Sequence, residues 1–129
     1  MIVLDSAAAV DYLTWREPGA WVADHIRADP DLHAPHLLDV EVVAALRKLV
    51  ARRALAPGSA IDAIKSLTDL DLARYPHLPL VERMWELRSV VTASDAAFVA
   101  LAEHLGAVLV TTDARLARAP GIRAAVEAP

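Results

Sequence analysis

The chain reads as an α/β protein: a three-layer sandwich with a mainly parallel central sheet of four to five strands, in a single domain spanning residues 1–129. Three observations predict this. Short apolar runs alternate along the chain with longer stretches at helical period, the pattern of strand–helix–strand units. With 129 residues and 56% hydrophobic side chains, one domain can bury a sizeable core. Finally, acidic residues stand where strands give way to helices or where helices begin, so they gather at one edge of a parallel sheet.

Each element has a local reason. Ile2-Val3-Leu4 is a short buried strand ended by Asp5. Ala7 to Trp15 is a helix with Asp5 or Ser6 as its N-cap, broken by Pro18-Gly19. Ala20 to Ala28 is a second helix, with Trp21, Val22, His25 and Ile26 on one face. Asp29-Pro30-Asp31 turns the chain into a brief strand, Leu32-His33-Ala34. Asp39 to Leu55 carries the strongest helical period, through Val43, Leu46 and Val50, and Pro57-Gly58 ends it. Ser59 to Leu67 is helical. Leu70 to Tyr75 alternates as a third strand, and Pro79 to Ser89 is helical. Thr92 to Leu105 is a helix closed by Gly106. Ala107 to Val110 is a buried strand, Thr111-Thr112-Asp113 opens a short helix through Ala117, and Ile122 to Val126 is a final edge strand.

Right-handed crossovers run the helices antiparallel to the strands, so strand ends and helix starts share one rim. Ligands bind at that carboxyl edge. Asp5 and Asp113 follow strands; Glu41 and Asp95 fall in the first turns of the predicted helices. Each acid alone has a structural use, as an N-cap or as a partner of a helix N-terminus. Thr92-Ala93-Ser94-Asp95 also fits a capping box. The joint pattern carries the functional reading. Several carboxylates at one small site raise one another's pKa or recruit a cation. For an all-oxygen site that cation is Mg²⁺, with Mn²⁺ able to substitute. Such a site serves phosphate chemistry, by activating water and stabilising the transition state. Thr111 and Thr112 are candidates for hydroxyl contacts to substrate.

Other classes lose support. The formal net charge is −4, so nucleic-acid contact has to use local basic clusters. There is no Cys, hence no disulfide framework or thiolate metal site, in keeping with a cytoplasmic protein. No stretch approaches the roughly 18 apolar residues of a membrane span, and Met1–Leu4 is interrupted at once by Asp5, unlike a secretory signal. No Gly-rich phosphate loop or nucleophile elbow is present. His33, His36 and Asp39 have transition-metal spacing, but Pro35 breaks helical geometry and they read as a surface loop. Arg47, Lys48, Arg52 and Arg53 read as the solvated face of the long helix. Arg115 and Arg118 flank Asp113 and are candidates for gripping a nucleic-acid backbone. Trp15 and Trp21 stand on either side of the Pro18-Gly19 break. They are either core or the anchors of a partner-binding groove beside the acidic rim.

Four segments together resemble the PIN-domain ribonucleases, specifically the VapC toxins of VapBC toxin–antitoxin modules. They are Ile2–Ser6, Ala34–Val42, Thr92–Ala102 and Leu109–Leu116, in order along essentially the whole chain. The resemblance implies that Asp5, Glu41, Asp95 and Asp113 bind Mg²⁺ or Mn²⁺. It implies a single-strand endoribonuclease whose targets are tRNA or ribosomal RNA loops. It also implies a homodimer and a VapB-type antitoxin that covers the active site. Two places depart from the family's habit: Ala7 stands where relatives carry a hydroxyl or amide residue, and Ser94 where they often carry an aromatic. Two competing classes remain: a catalytically inactive PIN-like module for protein interaction or RNA binding, and a receiver-like phosphoacceptor. The second would need paired acids near the first strand and a late Lys, which the chain lacks.

Overall fold

In the computed structural model, which describes residues 1–129, five strands form one sheet. They are β1 (Ile2–Leu4), β2 (Leu32–Pro35), β3 (Leu72–Tyr75), β4 (Val108–Val110) and β5 (Val126–Glu127), ordered β3-β2-β1-β4-β5. Every neighbouring pair is parallel. β1 to β3 grow the sheet in one direction; the chain then crosses back to place β4 on the far side of β1. That reversal is the topological switch point at which open α/β sheets leave a crevice beyond their strand ends.

The helices are α1 (Ser6–Thr14), α2 (Gly19–Ala28), α3 (Leu37–Ala51), α4 (Pro57–Asp69), α5 (Val81–Glu86), α6 (Ala93–Leu105) and α7 (Ala114–Ala117), with a 3₁₀ turn at Leu78–Leu80. α6 lies against β1, β2 and β4, with α5 packed on it. Its residues Ala96 to Ala102 are all buried, as expected for a helix covered on most sides. α1, α3 and α4 pack with one another, and α3 touches β2. β1 is buried throughout and lies in the middle of a single continuous core.

The expected alternation holds, with boundary corrections that matter for the site. The long helix begins at Leu37 rather than Asp39, so Glu41 lies in its second turn and Asp39 takes the first-turn place. Asp39 pairs there with Arg74 of β3 through two hydrogen bonds, 2.7 and 2.9 Å. The same helix ends at Ala51, where Arg53 turns left-handed (φ 57°), and not at Pro57-Gly58. Pro57 instead starts α4, where its missing N–H is no loss. His33 is a buried β2 residue and not part of a surface loop. Its two ring nitrogens meet the Tyr75 hydroxyl and Asp31, at 2.7 and 2.9 Å.

Gly19 opens α2 against α1 so closely that a Cβ there would run into the Asp11 carbonyl. Only glycine permits that approach, and it sets how the two helices meet. No helix is long and apolar enough to cross a membrane.

Candidate active site

β1 and β4 run in register, Leu4 opposite Val110, so the next residues, Asp5 and Thr111, leave the sheet side by side at the switch point. Asp5 caps α1: its Oδ1 accepts from the Ala8 N–H at 2.8 Å. Its Oδ2 accepts from the Thr111 hydroxyl. Only 4% of Asp5 is exposed. Burial pushes its carboxyl up to about 6; the hydrogen bonds from Thr111 and Ala8 oppose that rise, and the negative charges of Asp95 and Asp113 add to it. The last two contributions place three acids within one another's field, as the topology required.

Thr111 had the features of a substrate contact, but it is fully buried. Its hydroxyl donates to Asp5 and accepts the Asp113 N–H at 2.9 Å, so it works inside the protein, fixing both acids. Thr112 donates to Asp11 Oδ2 at 2.8 Å and ties the β4 exit to α1. Asp95 sits in the first turn of α6, where its N–H donates to the Thr92 hydroxyl at 3.2 Å. Asp113 caps α7 and accepts from the Arg115 N–H at 2.8 Å and from the Arg115 guanidinium at 2.9 and 3.2 Å. That guanidinium holds the Asp113 carboxyl below the usual range. Arg115 is itself exposed and also lies in the field of Asp95. Asp95, Asp113 and Arg115 line a cavity of about 490 Å³ together with Arg88, a cation the sequence offered no means of placing. Arg118, at the end of α7, is exposed and lies outside that cavity.

Glu41 stands apart from the other three. Its Oε2 accepts from the Ser6 hydroxyl at 2.6 Å, and its Oε1 is buried without a partner. It lines a different cavity, a groove of about 500 Å³ between α1 and α3. The rim therefore holds two neighbouring acidic positions rather than one ring of four carboxylates. No three Asp, Glu or His side chains are close enough to hold one ion by themselves. The donor set still fits a hard, largely hydrated cation. Mg²⁺ commonly takes only one or two carboxylates, with water and substrate phosphate completing its shell. A buried Asp5 with a raised pKa and the unpartnered Glu41 Oε1 are both groups that a nearby positive charge would stabilise.

The tryptophans separate. Trp15 is 79% exposed and holds a left-handed backbone at the end of α1 (φ 55°). Trp21 is half-buried against the core, with its ring 4.0 Å from that of His25. The third, Trp85 on α5, is exposed beneath the Arg88 guanidinium, 4.5 Å from its ring centroid.

Residues 2–122 match the PIN domain family. Ribonuclease VapC12 of Mycobacterium tuberculosis is 40% identical over 127 residues, 98% of each chain. Ribonuclease VapC1 of the same organism is 44% identical over 121 residues, 93% of this chain and 91% of the relative. Among solved structures, PAE2754 from Pyrobaculum aerophilum superposes with a TM-score of 0.67 at 27% identity, covering 90% of this chain and 83% of that one. VapBC2 from Rickettsia felis, solved bound to a DNA fragment from its promoter, gives a TM-score of 0.70 at 14% identity, over 99% and 98% of the two chains, a likeness of fold. With the acids at the switch point and similarity along nearly its full length, this chain belongs to the PIN-domain family and, within it, to the VapC ribonucleases.

Proposed function

We propose that the protein is a Mg²⁺-dependent endoribonuclease toxin of the cytoplasm, with Mn²⁺ able to substitute. In this reading it cuts structured RNA at tRNA or ribosomal RNA loops, and a VapB-type antitoxin neutralises it. The observation that carries the proposal is Asp5: a carboxylate buried at the switch point, held by Thr111 and Ala8, with two further acids in its field. Asp5 and Asp95 would hold the cation, Asp113 would complete the site, and Glu41 would reach it directly or through water. When bound, the ion would supply an activated water and neutralise charge building on the scissile phosphate. The chain's own residues do the positioning. Thr111 keeps Asp5 and Asp113 at fixed orientation, and Ser6 aims Glu41. Arg115 and Arg88 bring positive charge to the cavity where the phosphate would lie.

Asp5→Asn retains the shape of the side chain and removes its charge. It should abolish cleavage of single-stranded RNA while the circular dichroism spectrum stays that of the parent. Chelation by EDTA should stop the parent, and Mg²⁺ or Mn²⁺ should restore it better than Ca²⁺. Full cleavage by purified Asp5→Asn protein would remove Asp5 from the chemistry. A non-catalytic PIN-like module would instead show no Mn²⁺ binding that depends on these carboxylates.

The antitoxin is expected to cover the region of Trp15 and Trp21, since large aromatic side chains are favoured interface anchors. The exposed ring of Trp15 is the better placed of the two. A homodimer belongs to the same reading.

A further inference from the structure

Four cations cluster at the C-terminal end of the long helix, Arg47 and Lys48 in its last turns, Arg52 at its C-cap and Arg53 just beyond, and the fold sorts them. Glu41, Ala44, Ala45, Lys48, Leu49 and Arg52 recur at helical spacing and form one stripe of α3, which is the stripe that lines the groove against α1. Arg47 and Arg53 lie outside it. Arg16, from the turn after α1, lines the same groove. Arg16, Lys48 and Arg52 are exposed, and none of them makes an ion pair with any acid of the chain. The two acids in the groove, Asp11 and Glu41, are each engaged by a hydroxyl, of Thr112 and Ser6 respectively; Arg16 lies in the field of Asp11 without pairing with it, and neither acid pairs with Lys48 or Arg52. From Glu41 to Arg52 the stripe runs roughly 16 Å, the length of several backbone phosphates.

We infer that this groove is a nucleic-acid subsite: Arg16, Lys48 and Arg52 hold the phosphates of the RNA strand on the Glu41 side of the cleavage site. The inference rests on the ribonuclease reading and extends it to where the strand lies. Charge decides for RNA. In a chain of net charge −4, three unpaired cations in a groove that begins at a site acid counter the repulsion a polyanion would meet at the rim. The groove's apolar floor of small side chains, Ala7, Ala44 and Ala45, leaves room for sugars between the cations. An acidic protein segment is the other occupant such a groove could take, and the test separates them.

Binding of a fluorescent single-stranded RNA oligonucleotide is followed by anisotropy in EDTA, between about 50 and 200 mM salt. The proteins are the full parent chain, the Arg16→Gln/Lys48→Gln/Arg52→Gln variant and the Arg47→Gln/Arg53→Gln control. Single strands release about 0.7 counterion per phosphate contact, so loss of three contacts lowers the slope of log K against log salt by about 2. The control, taken from outside the stripe, keeps the parent slope. An unchanged slope in the triple variant overturns the subsite. If the same variant also loses affinity for polyglutamate, the groove is assigned to an acidic polypeptide instead. Parent protein that neither binds nor cleaves RNA overturns the ribonuclease reading together with the subsite. A reduced slope in the triple variant, with a parent that binds RNA but does not cleave it when Mg²⁺ is supplied, upholds the subsite and removes the catalytic reading alone.

Discussion

Asp5 is held where its charge is least comfortable, and that has a measurable cost. Its carboxyl titrates near 6 in the folded protein against 3.8 as the ordinary value. Between those pH values the folded state binds a proton that the unfolded state has already released. Stability therefore falls as pH rises from about 4 to about 6 and is level above, a loss from this one group of about 3 kcal/mol. In EDTA, urea unfolding should show Asp5's contribution to stability present near pH 4 and lost by pH 7. Asp5→Asn should remove that component, raising the urea midpoint at pH 7 and leaving it near the parent's at pH 4. A variant less stable than the parent at pH 7 would contradict this account of Asp5. Arg115 supports a second prediction at this scale. Its guanidinium occupies the Asp113 carboxylate and lies in the field of Asp95, so it competes with any cation there. Arg115→Ala should tighten Mn²⁺ binding several-fold by calorimetry on the RNA-free protein. Arg118→Ala, outside the cavity, should leave it unchanged. Equal Mn²⁺ affinity in both variants would make the Arg115 contact incidental.

Among the elements, the α1–α2 corner is the most constrained. Trp15 closes α1 with a left-handed backbone, which a bulky side chain rarely adopts. Gly19 then brings α2 within touching distance of the α1 backbone. An exposed aromatic held in a strained conformation gains the fold little. Trp15→Gly relieves the backbone and gives up little burial, so the unfolding free energy from urea titration should hold or rise by up to about 1 kcal/mol. Under the antitoxin reading, the same variant should bind the antitoxin more weakly by calorimetry. RNA cleavage by the free protein should be unaffected. Unchanged antitoxin affinity would place Trp15 outside the interface. This corner was only half legible in advance. Pro18-Gly19 marked the break between helices, but Trp15 and Trp21 looked alike. Their burial differs because the turn rotates one ring to solvent and the other onto the core, a consequence of backbone angles that residue type does not reveal.

At the scale of the whole molecule, the reversal of strand order between β1 and β4 gathers the site. It brings together residues more than a hundred positions apart, as in the Asp5–Thr111 hydrogen bond. The same architecture leaves Leu78, Val81 and Trp85 exposed at a spacing that puts them along one side of the 3₁₀ turn and α5. If the homodimer expected of the family forms through this apolar side, Trp85→Glu should shift sedimentation from dimer to monomer at micromolar concentration without changing the circular dichroism spectrum. A variant that sediments as the parent does would exclude this surface.

The sequence by itself determined the α/β alternation, the parallel sheet and the presence of Asp5, Asp95 and Asp113 at one rim. These follow from local signals: apolar runs, caps and the rule that strand ends and helix starts share an edge. It also carried the family, because four short motifs in order are specific even when each alone is not. Only the tertiary structure decided how the site is divided. Glu41 lines a separate groove because its face of α3 meets α1, whose Ser6 hydroxyl holds its carboxylate. Thr111 turned from substrate contact to internal strut because β4 is paired in register with β1. Arg88 joined the cavity of Asp95 and Asp113, and Lys48 and Arg52 parted from Arg47 and Arg53, through the packing of one helix against another. Such facts are long-range: they depend on which face of each element meets which neighbour, and that is set by the pairing of distant segments.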